Sequence, residues 1–131
     1  MTGLLLLNKP TEMHSTKCVE LVRNKLGRKT KVGHGGTLDS TASGLLIILI
    51  GAATRLSNFV MDMPKSYETV ACLGVETSTD DASGEIIRRN GCGNISEKDI
   101  DLALPSFFGW RMQAPPDISA VHVDGRRAHE L

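Results

Sequence analysis

Cysteine is scarce. Cys18, Cys72 and Cys92 are the only three, and no two form a CxxC pair. An odd number without that spacing argues against a disulfide framework and a thiolate zinc site, and fits a reducing compartment such as the cytoplasm. The four histidines, His14, His34, His122 and His129, supply no HExxH pair. Net charge is also missing: 15 basic residues offset 15 acidic ones. That balance excludes the overall basic signature of many nucleic-acid binders, but not a local basic face. The longest apolar run covers residues 45–50, far short of the ~20 residues a membrane span needs. Residues 4–7 have no basic stretch before them and run into Asn8-Lys9-Pro10, so they do not read as a secretory signal. There is no internal repeat and no low-complexity linker.

What is present suits a globular chain. Of 131 residues, 40% are hydrophobic and 23% charged, within the range of folded domains and long enough for one of them. The sequence stops at Arg126-Arg127-Ala128-His129-Glu130-Leu131 without a closing turn, which raises the expectation of a domain cut short. Charge is segregated. Residues 1–31 hold seven basic side chains against Glu12 and Glu20, and residues 62–101 hold nine acids against four bases. Such segregation gives either one electropositive face or an ordinary solvated helix end.

The pattern predicts an α+β fold with a mixed, mainly antiparallel sheet and flanking helices. Residues 3–8 read as a buried strand ending at Pro10. Ser15 is a candidate cap for a helix over 16–26, with Cys18, Val22 and Leu26 on one face and Gly27 after it. Residues 44–51 enclose Leu-Leu-Ile-Ile-Leu-Ile, a strand covered on both faces. A short helix is expected over 54–61, a strand over 65–75, a polar loop over 76–83 and a strand over 84–89. Residues 90–94 read as a turn. Ser96 and Asp99 resemble a capping box opening a helix to about residue 104, which Pro105 should stop. Pro115-Pro116 reads as extended, and residues 118–123 as a strand ending at the turn Asp124-Gly125. Asp80, Asp81 and Glu85 lack the EF-hand spacing and read as a hairpin loop.

The segment Gly33-His34-Gly35-Gly36-Thr37-Leu38-Asp39 packs three glycines into four residues. Glycine permits positive φ and close backbone approach. The segment is not a Walker A loop, since no Gly-Lys-Ser/Thr follows, and not GxGxxG, since Leu38 stands where the third glycine is required. Taken alone, it fits a tight turn, with Asp39 as a turn cap.

Extended through Ser40-Thr41-Ala42-Ser43-Gly44-Leu45-Leu46 and Gly51-x-Ala53-Thr54-Arg55, the segment resembles the signature of TruB-type tRNA pseudouridine synthases. Three more blocks resemble the same family in order: Leu5-Leu6-Leu7-Asn8-Lys9-Pro10; Lys65-Ser66-Tyr67 with Leu73-Gly74 and Thr77-x-Thr79-Asp80-Asp81; and Gln113-x-Pro115-Pro116 with Ser119-Ala120 and Gly125-x-Arg127-Ala128. The resemblance implies isomerisation of a T-arm uridine of tRNA to pseudouridine by a monomer, with no cofactor or metal and no membrane. It implies that Asp39 is the catalytic carboxylate. His34 would lie near the space the flipped base vacates, Tyr67 against the flipped base, and Lys9 near the active site. Arg28, Lys29 and Lys31 would meet tRNA phosphates, contacts that position without specifying. It further implies that residues 1–131 are the N-terminal portion of a catalytic domain, whose remainder carries an arginine partner for the aspartate and an RNA-binding domain. Several positions depart from the family pattern: Glu12 and His14 replace glycine and threonine, Ile118 replaces tyrosine, His122 replaces lysine and His129 an aromatic. The competing reading is a non-catalytic RNA-binding module in which Asp39 is dispensable.

Overall fold

A computed structural model describes residues 1–112 and, as backbone, His122–Val123 and Arg126–Arg127. The chain divides into two compact units, Met1–Tyr67 and Glu68–Leu131. The class is α+β, with small antiparallel sheets and three α-helices among the described residues.

The first unit is built on three antiparallel strands, β1 (Gly3–Lys9), β2 (Val32–His34) and β3 (Gly44–Ile50), in the order β1-β3-β2. Its register runs from Gly3↔Ile50 to Lys9↔Gly44 on one side of β3, and from Val32↔Ile50 to His34↔Ile48 on the other. Helix α1 (Ser15–Leu26) supplies Cys18 and Val19 to a core with Val32, Leu46, Ile48 and Ile50. The alternate residues 46, 48 and 50 share one face of β3, as the two-residue strand period requires. Leu7, Met13, Val22, Leu26 and Leu38 border this core. Ile48 and its neighbour Leu49 are both 0% exposed, so β3 is covered on both faces there, while Leu45 at its start is 62% exposed.

β1 departs from the buried strand read in the sequence. Leu4, Leu5 and Leu6 are 56%, 38% and 67% exposed. An apolar run signals a strand, but it does not say how many layers cover it, and β1 is the sheet's edge with a ladder on one side only. Ser15 also departs from expectation. His14 occupies the N-cap without a side-chain bond, Ser15 is the first helical residue, and its hydroxyl is used elsewhere. Gly27 closes the helix at φ 96°, as glycine there suggests. The helix expected over 54–61 begins earlier, as a 3-10 segment Gly51–Leu56 that continues into α2 (Ser57–Met61).

In the second unit, the strand expected over 65–75 is confined to β4 (Val75–Thr77), which also takes two residues from the loop expected at 76–83. Residues 64–72 carry no regular structure. β-propensity from Tyr67, Thr69 and Val70 does not suffice where, among the described residues, no partner strand accepts the ladder. β4 pairs with β5 (Ile86–Arg89) with an irregularity at Glu76/Thr77. Helix α3 (Glu97–Ala103) opens on the expected capping box: Ser96 Oγ accepts from the Asp99 amide, and the Asp99 carboxylate accepts from the Ser96 amide. The Ser96 hydroxyl, then the amide, hold the Asp99 carboxyl below its ordinary range. The helix passes into a 3-10 turn, Leu104–Phe107, that contains Pro105. Of the strand expected over 118–123, only β6 (His122–Val123) is described, paired with β7 (Arg126–Arg127). Residues 118–121, Pro115-Pro116 and Asp124-Gly125 lie outside the described residues. Among the described residues, no helix is long and apolar enough to cross a membrane.

Candidate functional site

The glycine-rich segment joins β2 to β3. Its first two residues, Gly33 and His34, belong to β2 rather than to the turn expected from the sequence. Gly35 continues toward β3, its amide donating to the Ile47 carbonyl at 2.8 Å. A side chain at Gly35 would overlap Val60 Cγ1 of α2, so the glycine is required by close packing. Gly36 has φ 143°, a conformation that also favours glycine.

Beyond the glycines, the loop is held from two sides. Ser15 Oγ donates to the Leu38 carbonyl at 2.9 Å and accepts from the Leu38 amide at 3.0 Å. The Leu38 side chain packs on the core. The carbonyl of Ser40 accepts from the Glu12 amide at 2.7 Å and from Lys9 Nζ at 3.5 Å. The Ala42 amide closes a turn onto the Asp39 carbonyl at 3.2 Å. Asp39 therefore sits between two anchored neighbours, and its own side chain is exposed. The two ion pairs among the described residues are Lys17–Glu20 and Arg88–Glu76, so neither engages the Asp39 carboxylate.

Lys9 is 0% exposed at the end of β1. Its ammonium donates to the carbonyls of Pro10 at 2.9 Å, Met13 at 2.7 Å and Ser40 at 3.5 Å. A buried ammonium is costly unless its donors are satisfied, and three carbonyls match its three protons. Lys9 thus ties β1, the β1–α1 connection and the Asp39 loop together. Glu12, in that connection, has φ 60°. This position is the one where the family pattern has glycine, and a left-handed backbone is what a glycine there would relieve.

His34 closes β2 immediately before Gly35, half-buried, with its ring Nδ1 buried and without a hydrogen-bond partner among the described residues. Arg28, Lys29 and Lys31 are exposed in the turn between α1 and β2. That turn is pinned: Thr30 N–H donates to Gly27 O at 2.9 Å, Thr30 Oγ1 to Leu26 O at 3.1 Å, and Gly51 N–H to Lys31 O at 2.8 Å. The Arg23 guanidinium adds a bond to the Val32 carbonyl at 3.0 Å. Tyr67 is 71% exposed at the end of the first unit. The structure thus gathers Lys9, His34 and Asp39 around one loop, with the three basic side chains just before β2; it gives Tyr67 no hydrogen bond among the described residues. Ser15 is the loop-holding residue that sequence reasoning assigned elsewhere, since a serine at a helix start reads as a cap.

Among the described residues, no cluster of three or more histidines, cysteines, aspartates or glutamates could hold a metal ion. A depression in the second unit, lined by Phe107, Gly109, Trp110, Arg111 and Met112, contains none of the loop residues.

Comparison with known proteins gives this loop its context. Residues 23–131, which include Asp39 and Tyr67, match the model of the TruB family pseudouridylate synthase N-terminal domain. The chain is 46% identical to tRNA pseudouridine synthase B of Geobacillus thermodenitrificans, over 99% of this chain and 43% of the relative. It is 45% identical to that of Aquifex aeolicus, over 100% of this chain and 45% of the relative. The protein of the same name from Acaryochloris marina is 43% identical, over 100% of this chain and 45% of its own length. The chain therefore spans less than half the length of these curated relatives, and the aligned part takes in Lys9, Ser15 and the whole Asp39 loop. A braced Gly-His-Gly-Gly-Thr-Leu-Asp loop and a family match over most of the chain lead to one assignment: these 131 residues belong to the TruB family of pseudouridylate synthases.

Proposed function

We propose that this chain carries the reacting carboxylate of a tRNA pseudouridine synthase acting on a uridine of the T arm. The observation that carries the reading is Asp39: an exposed carboxylate on a backbone anchored at Leu38 and Ser40, in a member of a pseudouridylate synthase family. In the reaction, the C1′–N1 bond breaks and a C1′–C5 bond forms. The C5 proton leaves and N1 gains one, so substrate and product are isomers and no net oxidant or reductant is consumed. Cleavage leaves electron deficiency at C1′, which a carboxylate at the sugar answers as nucleophile or as base toward C2′. Either route requires the uridine to leave the stack first.

The neighbouring residues take supporting roles. His34 faces the space left by the flipped base, where an imidazole stacks or hydrogen-bonds. Tyr67 stacks on the uracil, and its hydroxyl helps remove the C5 proton. Lys9, held by three carbonyls, acts near the site by fixing the loop. Arg28, Lys29 and Lys31 meet backbone phosphates. The protein works as a monomer, in the cytoplasm with its tRNA, and without a cofactor.

The test uses the complete protein that carries these residues and measures hydrogen release from C5 of tRNA uridine. Asp39→Asn is expected to lower turnover by roughly 10³-fold or more, and replacement of the T-arm uridine to abolish release. Unchanged turnover in Asp39→Asn overturns the assignment. A second reading, an RNA-binding module without catalysis, is favoured by the exposed, pinned turn bearing Arg28, Lys29 and Lys31. It predicts that reversing those three charges weakens tRNA binding and flattens its salt dependence, by a slope of about 0.7–0.9 per lost phosphate contact.

A further inference from the structure

The hydroxyl of Ser15 meets both backbone polar groups of one residue. It donates to the Leu38 carbonyl at 2.9 Å and accepts from the Leu38 amide at 3.0 Å, across 23 positions of sequence. Ser15 is 2% exposed. A hydroxyl has one proton to give and two lone pairs to accept with, so one side chain satisfies Leu38 completely.

The helix does not need this hydroxyl. Ser15 is the first residue of α1, the N-cap is His14, and the N-cap makes no side-chain bond. The backbone bonds Lys17 N–H to His14 O at 2.9 Å and Cys18 N–H to His14 O at 3.3 Å already start the helix. Ser15 is a good capping residue placed one position too late to cap, and its hydroxyl is committed to the loop.

Leu38 directly precedes Asp39. The Leu38 carbonyl lies in the planar peptide unit that contains the Asp39 nitrogen and Cα. Fixing that carbonyl fixes the plane leading into Asp39, while the Leu38 side chain is seated on the core. On the far side, the Ala42 amide holds the Asp39 carbonyl at 3.2 Å. Both peptide planes flanking the Asp39 Cα are thus constrained, and they set the direction of its Cα–Cβ bond.

Resting on the assignment of Asp39 as the reacting carboxylate, we infer that Ser15 is a positioning residue, whose hydroxyl aims Asp39 at the reacting sugar by locking the peptide plane before it. Its loss leaves Leu38 without its donor and acceptor partner, and the loop moves to satisfy them elsewhere. Misplacing a reacting group by about 1 Å lowers the chemical rate roughly 100-fold. Binding of the tRNA backbone is not touched, because the carboxylate acts on the transition state rather than on the phosphates.

The decisive pair is Ser15→Thr and Ser15→Val in the complete protein, which match in volume and differ by the hydroxyl. Three quantities are measured: the single-turnover rate of C5 hydrogen release, the Kd for tRNA, and hydrogen exchange of the Leu38 amide. Ser15→Thr is expected to stay close to wild type in all three. Ser15→Val is expected to lose roughly 10- to 100-fold in rate, with Kd unchanged and Leu38 exchanging faster. Equal rates in the two variants overturn the inference, as does a Ser15→Val that loses rate and tRNA affinity together. Should Ser15→Val fail to fold, Ser15→Ala is read by the same three measurements. Asp39→Asn, run alongside, separates the two ideas. A fully active Asp39→Asn removes the carboxylate assignment; an inactive Asp39→Asn with a fully active Ser15→Val removes only the role of Ser15.

Discussion

In the first unit, Ile48 and Leu49 are 0% exposed and Cys18 and Leu46 are 2% exposed. In the second, among residues 68–112, none is buried, and Ile86, Ile87 and Leu102 are 48%, 62% and 70% exposed. Both units contain a helix and an antiparallel pairing, so regular structure is not what separates them. The first unit has side chains of α1 and β3 meeting in a core. The elements of the second are secured by bonds between near neighbours: the Ser96–Asp99 box, the β4–β5 ladder and the Asp81 turn. Asp39 lies in the unit with the core, where Ser15, Lys9 and Leu38 can anchor its loop across long sequence separations. The reacting role proposed for Asp39 calls for that kind of support, because placement to a fraction of an ångström comes from packing and bonded neighbours.

The comparison can be broken at four points. The largest effect is expected from Ile48→Ala, which should cost about 2–5 kcal/mol in urea denaturation. Leu102→Ala in the second unit should stay within about 0.5 kcal/mol. Similar costs for the two would end the distinction between a packed unit and a locally bonded one. Next is Gly35→Ala, whose new methyl overlaps Val60 Cγ1; overpacking of this kind costs about 1–3 kcal/mol. Val60→Ala opens the space, so the double variant should recover part of the loss. No recovery would show that the backbone of Gly35, rather than its contact with α2, matters.

Ser96→Ala removes a two-way cap and should cost about 1 kcal/mol of helix stability. The loss is expected in amide exchange of α3 alone, with β1–β3 unaffected; a matching change in the sheet would mean that the units are energetically coupled. The smallest effect concerns Asp81. The hydroxyls of Ser83 and Thr79 and the Ser83 amide pull its carboxyl from 3.8 down to about 2. The folded value lies below the unfolded one, so the turn gains from the ionised form above 3.8 and loses that gain as pH falls through about 2. Acid titration followed at the Ser83 amide should report this window, and Asp81→Asn should erase it. A Ser83 response centred near 3.8 instead would mean that these bonds do not hold the carboxylate.

Much of the fold can be read from one-dimensional signals. Residues 45–50 form a central strand because an uninterrupted β-branched and leucine run suits burial on both faces. The Ser96–Asp99 spacing predicts α3, because a capping box involves only residues three apart. Failures fall where the outcome depends on a distant partner. Tyr67, Thr69 and Val70 suggest a strand, yet among the described residues 64–72 join no strand ladder. Leu4, Leu5 and Leu6 suggest burial, yet β1 is an edge. Ser15 suggests a cap, yet its hydroxyl is used 23 residues downstream.

The candidate site divides in the same way. By itself the sequence determined which residue is proposed to carry the chemistry, because the Gly33–Asp39 segment and its flanking blocks are a matter of residue identity and order. It also determined the local signals: glycine at positions 27 and 36, where φ is positive, serine and aspartate at the start of α3, basic side chains before β2. Only the tertiary structure decided how Asp39 is held. The closure of Lys9 on three carbonyls, the grip of Ser15 on Leu38 and the exclusion of a side chain at Gly35 by Val60 all join segments distant in sequence. Such contacts have no periodicity or spacing to reveal them. They exist only once β1, α1 and β3 have packed, and they make a flexible glycine-rich segment into a fixed support for one carboxylate.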